Sequence, residues 1–496
     1  MNTTLFVLIG SILAIINSFV LMSMMKCFNH RSDKILFFLI SIVSFIVFSL
    51  LAAGALGKFG SFEMTTVQIF MLVIMIILKK TVIKTAEENN ITHSEIIFSP
   101  YVVIAIIIII YASIGLFKTA LGAYPQEDSY NHHIPIAQWY IEHGSITKPE
   151  VGNEPLYPAN ISIIYAWLIM LKKTFILQGL FNAVLCIVCG LSIYSICRTL
   201  DMTKEVSLWA FALCLGNYLM FFEVRSLYID ASFASFVLIG TAFALKHLKE
   251  SNLAFCIASG MAFGLALGSK PQGLIYAFVI FVVMLFASFV NYKQIRKISY
   301  SAKGLISWVL PMLFLGSYWY IRNAILSSSI SQAPQEDVST LTLIKNTAIL
   351  WNIPEYISSF GIVKIIKSFS GQVSFVALFA FIPYLWSIIY TIKEKDSKQK
   401  TLQIWLWLIS FSFLLFLIIH PFSARVYSGM PLNPDLAQLR YGLPFICIIN
   451  IYWVMMLKNK PQWLPLLTLG LWLPASKLVA VVSLALAGIV CKNSRG

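Results

Sequence analysis

The sequence predicts an all-α polytopic membrane protein, a bundle of about 13 to 15 transmembrane helices with a large first external loop carrying short surface helices. Three observations predict it. Of its 496 residues 59% are hydrophobic and 11% charged, where a soluble domain carries roughly 25% charged residues. Apolar runs repeatedly approach the ~20 residues that cross a bilayer as a helix. The basic residues gather in short breaks between those runs, which is the pattern that sets orientation in a membrane. Mean hydropathy is +0.82, and no polar stretch is long enough to bury a separate soluble core.

In chain order, three spans are expected at 4–25, 35–56 and 64–79. The first, "TLFVLIGSILAIINSFVLMSMM", is too long for a signal-peptide core. It lacks a basic start and a small-residue cleavage site, so it reads as a retained span. Further spans are expected at 97–117, 175–197, 206–222, 230–248, 253–268, 273–290 and 304–322, then at 373–392, 402–420, 440–457, 462–474 and 476–491. This divides the chain into N-terminal extra helices (1–96), a core with external loops (97–457) and a C-terminal hairpin (458–496).

The breaks "KCFNHRSDK", "KKTVIK", "RTLDMTK" and "KEKDSKQK" then fall on one side, which is cytoplasmic by the positive-inside rule. "YPANISIIYAWLIML" (157–171) reads as a helix at the membrane surface, because as a span it would flip every later loop and scatter the basic bias. The loops 118–174, 223–230, 269–272, 322–372 and 420–440 face outside. The short cytoplasmic loops contain nothing like an ATP-binding loop, so chemistry is expected outside, where nucleotide-activated substrates are absent.

Much of the net charge of +15 sits in those short loops, where it meets anionic headgroups. No basic helix with interleaved aromatics occurs, so nucleic acid is not an expected partner. The eight cysteines lie in or beside apolar runs, and the Cys186–Cys189 spacing falls inside "NAVLCIVCGLSIYSI", where small buried residues are expected.

Directly beyond the charge-free run "YVVIAIIIIIYASIGLF" comes "YPQEDSYNHHIPIAQW". If this is helical after Asp128, Asp128 and His132 share a face at i, i+4, with Tyr130 and His133 to either side. A carboxylate at the bilayer edge suits a general base for a hydroxyl; the alternative is that Glu127 or Asp128 caps a helix. Only one or two potential metal ligands are close in sequence and no H-x-x-x-H occurs, so no cofactor is required and a divalent metal is not favoured. Other ionisable residues at span edges are Glu223, Arg225 and Asp230, then Lys270, Arg322, Arg425 and Arg440. Such positions mark functional candidates, or anchors snorkelling to the headgroups. Together they suit a phosphate-bearing lipid beside a base that activates an acceptor.

Over about 97–457 the chain resembles the GT-C superfamily of membrane glycosyltransferases, which use polyprenyl-phosphate-linked sugars. "EDSYNHHIPIAQWYIEHGSI" is similar to the family's first external loop, and "PLYPANISIIYAWL" to the helix after it. "SLYIDASFASFVL", "GLALGSKPQGL", "YWYIRNAIL" and "LRYGLPF" are similar to later recurring pieces. The resemblance implies Asp128 as catalytic base, with Glu127 as the contender, since some relatives have the acidic pair in reverse order. His133 matches the family's His before x-Pro, and Arg322 and Arg440 fall on recurring basic positions for which phosphate contact is inferred; Tyr130, Arg225, Lys270, Arg425 and Tyr441 complete the expected donor and substrate contacts. Three extra spans precede the segment that normally comes first.

The implied reaction is an inverting displacement from a polyprenyl-phosphate sugar to an acceptor hydroxyl on a surface polysaccharide, lipid-linked repeat or lipid. It takes place on the external face of a bacterial cytoplasmic membrane. Two other readings compete. A polymerase or ligase of lipid-linked polysaccharide would rely on external Arg residues and need no carboxylate in the first loop. A lipid-linked-sugar flippase would place charges at mid-membrane depth.

Overall fold

A backbone surrounded by lipid has no water to bond and must satisfy its own N–H and C=O groups. In a computed structural model of the chain, every regular element among the described residues is accordingly helical. The structure describes residues 3–468 apart from 26–27, 29, 83–98, 148, 152–155, 296–297, 328–380, 420–439 and 466.

The helices are α1 (Thr3–Met24), α2 (Arg31–Ala55), α3 (Ser61–Val82) and α4 (Pro100–Leu121), then a π-helical turn at Ser129–His133 that runs into α5 (Ile134–His143). They continue as α6 (Asn160–Leu171), α7 (Ile176–Thr199), α8 (Lys204–Leu215), α9 (Tyr218–Ser226), α10 (Asp230–Glu250) and α11 (Leu253–Leu267). After these come α12 (Gln272–Ile295), α13 (Ile298–Gly316), α14 (Tyr318–Ser327), α15 (Phe381–Lys393), α16 (Ser397–Ile419) and α17 (Leu443–Leu457). Contacts divide the chain into two compact units. The first comprises 1–97, 117–199 and 223–333; the second comprises 98–116, 200–222 and 334–496.

Among the described residues eight helices are long and apolar enough to cross a membrane, or ten if each of two bent pairs counts as one span. The expected spans at 206–222 and 304–322 are those bent pairs, α8 with α9 at 49° and α13 with α14 at 53°. The first break has a polar cause: the Asn217 side chain accepts from Leu219 N–H at 3.1 Å, capping a new helix where the old one ends at Gly216. At the second, Ser317 follows Gly316, and its hydroxyl donates to Leu313 C=O at 2.7 Å, a back-bond that bends helices. The expected span 253–268 is the 15-residue α11. The span expected at 373–392 is described only from Phe381, that at 462–474 only as far as 468, and that at 476–491 lies outside the described residues. The segment 157–171 contains the 12-residue α6, too short to cross a bilayer, whose first eight residues are buried.

In the first unit α10 is buried from Asp230 through Lys246. Its small residues Ala231, Ser232, Ala234, Ser235 and Gly240 let α7 and α11 approach its axis closely. The tightest approach is between α11 and α13: a Cβ on Gly260 would lie 2.1 Å from the Trp308 carbonyl oxygen. At the end of α10 opposite Asp230, Lys246 forms a buried ion pair with Asp33 of α2, whose carboxylate also accepts from Ser195 of α7 at 2.8 Å. One buried carboxylate thereby registers three helices, and places the N-terminal helices against the rest of the unit. In the second unit the Tyr452 hydroxyl of α17 meets Ser410 of α16 at 2.6 Å, and Tyr384 of α15 stacks on Trp407.

Candidate active site

The chain beyond α4 is held by backbone hydrogen bonds to the elbow between α9 and α10. Tyr124 N–H donates to Arg225 C=O at 3.0 Å and Gln126 N–H to Ser226 C=O at 3.2 Å. Leu227, at the centre of that elbow, has φ +58, a left-handed conformation that costs a non-glycine residue about 1–2 kcal/mol. Its carbonyl is compensated from two sides, by the Ser129 hydroxyl at 2.6 Å and the Tyr165 hydroxyl at 3.0 Å. Asn182 braces the same elbow: its Oδ1 lies 3.2 Å from the Tyr165 hydroxyl and accepts from Ser232 at 3.0 Å, and its Nδ2 donates to Tyr228 C=O at 2.9 Å.

This bracing sets the acidic pair. Glu127 is exposed and Asp128 is half-buried. Asp128 precedes the π-turn without making a side-chain cap hydrogen bond, so the capping role is not what holds it there. The turn is wound wider than an α-helix, a form found mostly as single turns at functional sites. It carries both histidines inward, where His132 is 8% and His133 6% exposed. His133 Nδ1 meets the Ser162 hydroxyl at 3.3 Å, while the His132 ring stands edge-on to His133 and to Tyr157, with centroids 4.7 and 5.5 Å away. Burial pushes the His132 imidazole down to about 4; the Asp128 charge opposes that fall and the Lys270 charge adds to it. Asp128 and Lys270 therefore both act electrostatically on His132, whose ring is neutral at pH 7.

Lys270, in the turn between α11 and α12, is buried and ion-paired with Asp230, the first residue of α10. The same helix end receives a second carboxylate. Glu223 is fully buried, and its Oε2 accepts from Ala231 N–H at 3.1 Å. Unpaired amides and the helix dipole favour negative charge there.

Arg322, for which the resemblance implies phosphate contact, sits among protein partners. Its guanidinium is 6% exposed and donates to the Tyr140 hydroxyl at 3.3 Å, to Ile146 C=O at 3.5 Å and to Asn323 Oδ1 at 2.9 Å, over the Trp319 ring. Asn323 donates in turn to Leu156 C=O, Tyr318 to Ile146 C=O, and Trp319 to Asn160 Oδ1 at 2.7 Å. "YWYIRN" is thus a station that holds the segment between α4 and α6. Burial pushes the Tyr140 phenol up to about 12, against the pull of Arg322.

The remaining expected residues divide plainly. Tyr130 is 69% exposed, and Arg225 is exposed with its guanidinium over the Tyr124 ring. Arg440 and Tyr441 belong to the second unit, where the Arg440 Nη2 lies 3.3 Å from the Tyr441 hydroxyl. Arg425 lies outside the described residues. Asp128 adjoins the turn that carries His132 and His133, and Lys270, ion-paired with Asp230, acts on the His132 ring; Asn182, which braces the elbow, is not marked by the sequence as a candidate. The sequence does mark Glu223 and Asp230 as charges at a span edge, but nothing in it pairs Asp230 with Lys270. Among the described residues no three His, Cys, Asp or Glu side chains come together as a metal site.

No family model matches the chain, and no curated protein matches it. Among solved structures it is similar to the crystal structure of the Archaeoglobus fulgidus oligosaccharyltransferase in complex with Zn and sulfate. The TM-score is 0.42 and the identity 11%, over 77% of this chain and 53% of that one, about half of its length. A likeness of that degree assigns no residue here a role.

Proposed function

We propose that the chain is a membrane glycosyltransferase that moves a sugar from a polyprenyl-phosphate donor to an acceptor hydroxyl. The observation that carries the reading is the half-buried Asp128 beside a neutral His132 and an Asp230-paired Lys270. The resemblance of the surrounding motifs to GT-C enzymes points to the same chemistry.

In this reading Asp128 takes the proton of the acceptor hydroxyl as its oxygen attacks the anomeric carbon. The new glycosidic C–O bond forms on the face opposite the breaking bond to phosphate, so the configuration inverts. The bonding pair leaves with the lipid phosphate, whose charge is met by cations. In the first unit the candidates are exposed Arg225 and buried Lys270. Glu127, exposed on the neighbouring position, is the contender for the same role. No step requires a cofactor.

The test is transfer from a radiolabelled polyprenyl-phosphate hexose in membranes holding wild type, Asp128→Asn or Glu127→Gln at matched expression. The expected result is loss of transfer in Asp128→Asn and a modest slowing in Glu127→Gln. Wild-type rates in both variants would sink the reading. Loss of activity in Arg425→Ala and Arg440→Ala with the acidic pair dispensable would favour the polymerase.

A further inference from the structure

Where the first residues of α1 and α3 meet α5 and α6 lies a cavity of about 470 Å³. Small-molecule sites run from about 300 to 1,000 Å³. Its walls are largely apolar: Phe6, Phe59 and Phe62 from the N-terminal helices, Ile141 from α5 and Met170 from α6. Phe6 and Phe62 meet edge to face, with centroids 5.3 Å apart. Phe59 is fixed by its N–H, which donates to Gly144 C=O at 2.6 Å, and by its ring, 5.9 Å from that of Tyr140. One charged side chain lines the cavity, the half-buried Glu63. Gly60 leaves its carboxylate room, since a Cβ there would lie 2.5 Å from Glu63 Oε2. Among the described residues Glu63 enters no ion pair, and no Lys, Arg or His lines the cavity.

A carboxylate partly withdrawn from water favours a cation beside it. Aromatic faces attract a cation as well, and together these groups suit an alkylammonium. The level of the cavity narrows the source. Helices α1 and α3 are both long and apolar enough to cross a membrane, and the cavity lies at an end of each. Where spans end, the ammonium groups at hand belong to phospholipid headgroups. We propose that this cavity binds a phospholipid with a primary ammonium headgroup, whose N–H groups donate to Glu63 among the three phenylalanine rings. Because Ile141 belongs to α5, an occupied cavity ties the N-terminal helices to the element that continues the histidine turn. The proposal is independent of the glycosyltransferase reading.

The test is native mass spectrometry of the full chain released from detergent micelles holding equal amounts of dioleoyl phosphatidylethanolamine and dioleoyl phosphatidylglycerol. Wild type is expected to retain one phosphatidylethanolamine, and Glu63→Gln to bind it about tenfold more weakly. Glutamine serves a helix start as glutamate does, so a loss in Glu63→Gln isolates the charge from capping. Met170→Trp fills the cavity and keeps Glu63. It is expected to lose the lipid too, and it decides the matter if Glu63→Gln does not fold. N-acetyl phosphatidylethanolamine, which lacks the ammonium, is expected to bind no better than phosphatidylglycerol. Equal retention of phosphatidylethanolamine by wild type and Glu63→Gln, or by wild type and Met170→Trp, overturns the proposal. Equal binding of the N-acetylated lipid does the same, because the cavity would then seat acyl chains alone. Binding of O-phosphoethanolamine, the headgroup without chains, as tightly as the lipid would make the ligand a soluble amine and overturn the lipid assignment.

Discussion

Asp230 and Lys270 are 40 residues apart in sequence and form a buried ion pair at one end of α10. The pair ties the first turn of α10 to the turn between α11 and α12, and its Lys270 acts electrostatically on His132. It therefore serves the site and the stability of the unit together.

Removing one partner leaves a buried charge uncompensated. Lys270→Met is expected to lower stability by about 3–5 kcal/mol, seen as a fall in melting temperature in nanodiscs. The double variant Lys270→Met/Asp230→Leu regains most of it. If Lys270→Met melts like wild type, the pair is not formed.

Arg322 holds the segment between α4 and α6 through Tyr140 and Ile146. Arg322→Ala is expected to cost about 1.5–3 kcal/mol and to speed proteolytic cleavage within 144–156. Tyr140→Phe removes one of those bonds and gives a smaller effect in the same direction, about 0.5–1.5 kcal/mol. Unchanged cleavage with lost activity would instead place Arg322 on the substrate.

The pH dependence of stability follows from His132. Its folded value, about 4, lies below the ordinary 6.5 of an imidazole, so between those values the unfolded chain binds the extra proton. Stability attached to the neutral ring is complete above about 6.5 and is lost as pH falls toward 4. A melting curve of wild type is expected to drop more steeply across this window than that of His132→Phe. Parallel curves would show that the ring titrates as in water.

Gly260 has no room for a side chain, since its Cβ would sit 2.1 Å from the Trp308 carbonyl oxygen. The atom in the way is backbone, so α11 and α13 must part. Gly260→Ala is expected to destabilise the first unit by about 1–3 kcal/mol, which chemical unfolding in detergent would measure.

The helical class, the order of most spans and the placing of an acidic pair just beyond α4 are all legible in the sequence. Each depends on residues near one another along the chain: hydropathy summed over a window, or charges counted at its edge. The same summation overlooks the breaks at Gly216–Asn217 and Gly316–Ser317, where one polar side chain bonding its own backbone outweighs an otherwise apolar run. Arg322 shows the limit from the other side. Its sequence position marks a buried cation at a span end, but its partners, Tyr140 and Ile146, lie about 180 residues earlier.

By itself, then, the sequence determined that this chain is a bundle of membrane-length helices with an acidic pair and two adjacent histidines in one loop, because the cost of burying a charge in lipid is a local property of each segment. Only the tertiary structure decided that Asp128 turns inward while Glu127 stays in solvent, that Lys270 is answered by Asp230, and that His132 is neutral with Nδ1 unpaired. Those outcomes depend on the elbow at Leu227 and the π-turn beside it, where hydrogen bonds between segments 98 residues apart set the direction of each side chain.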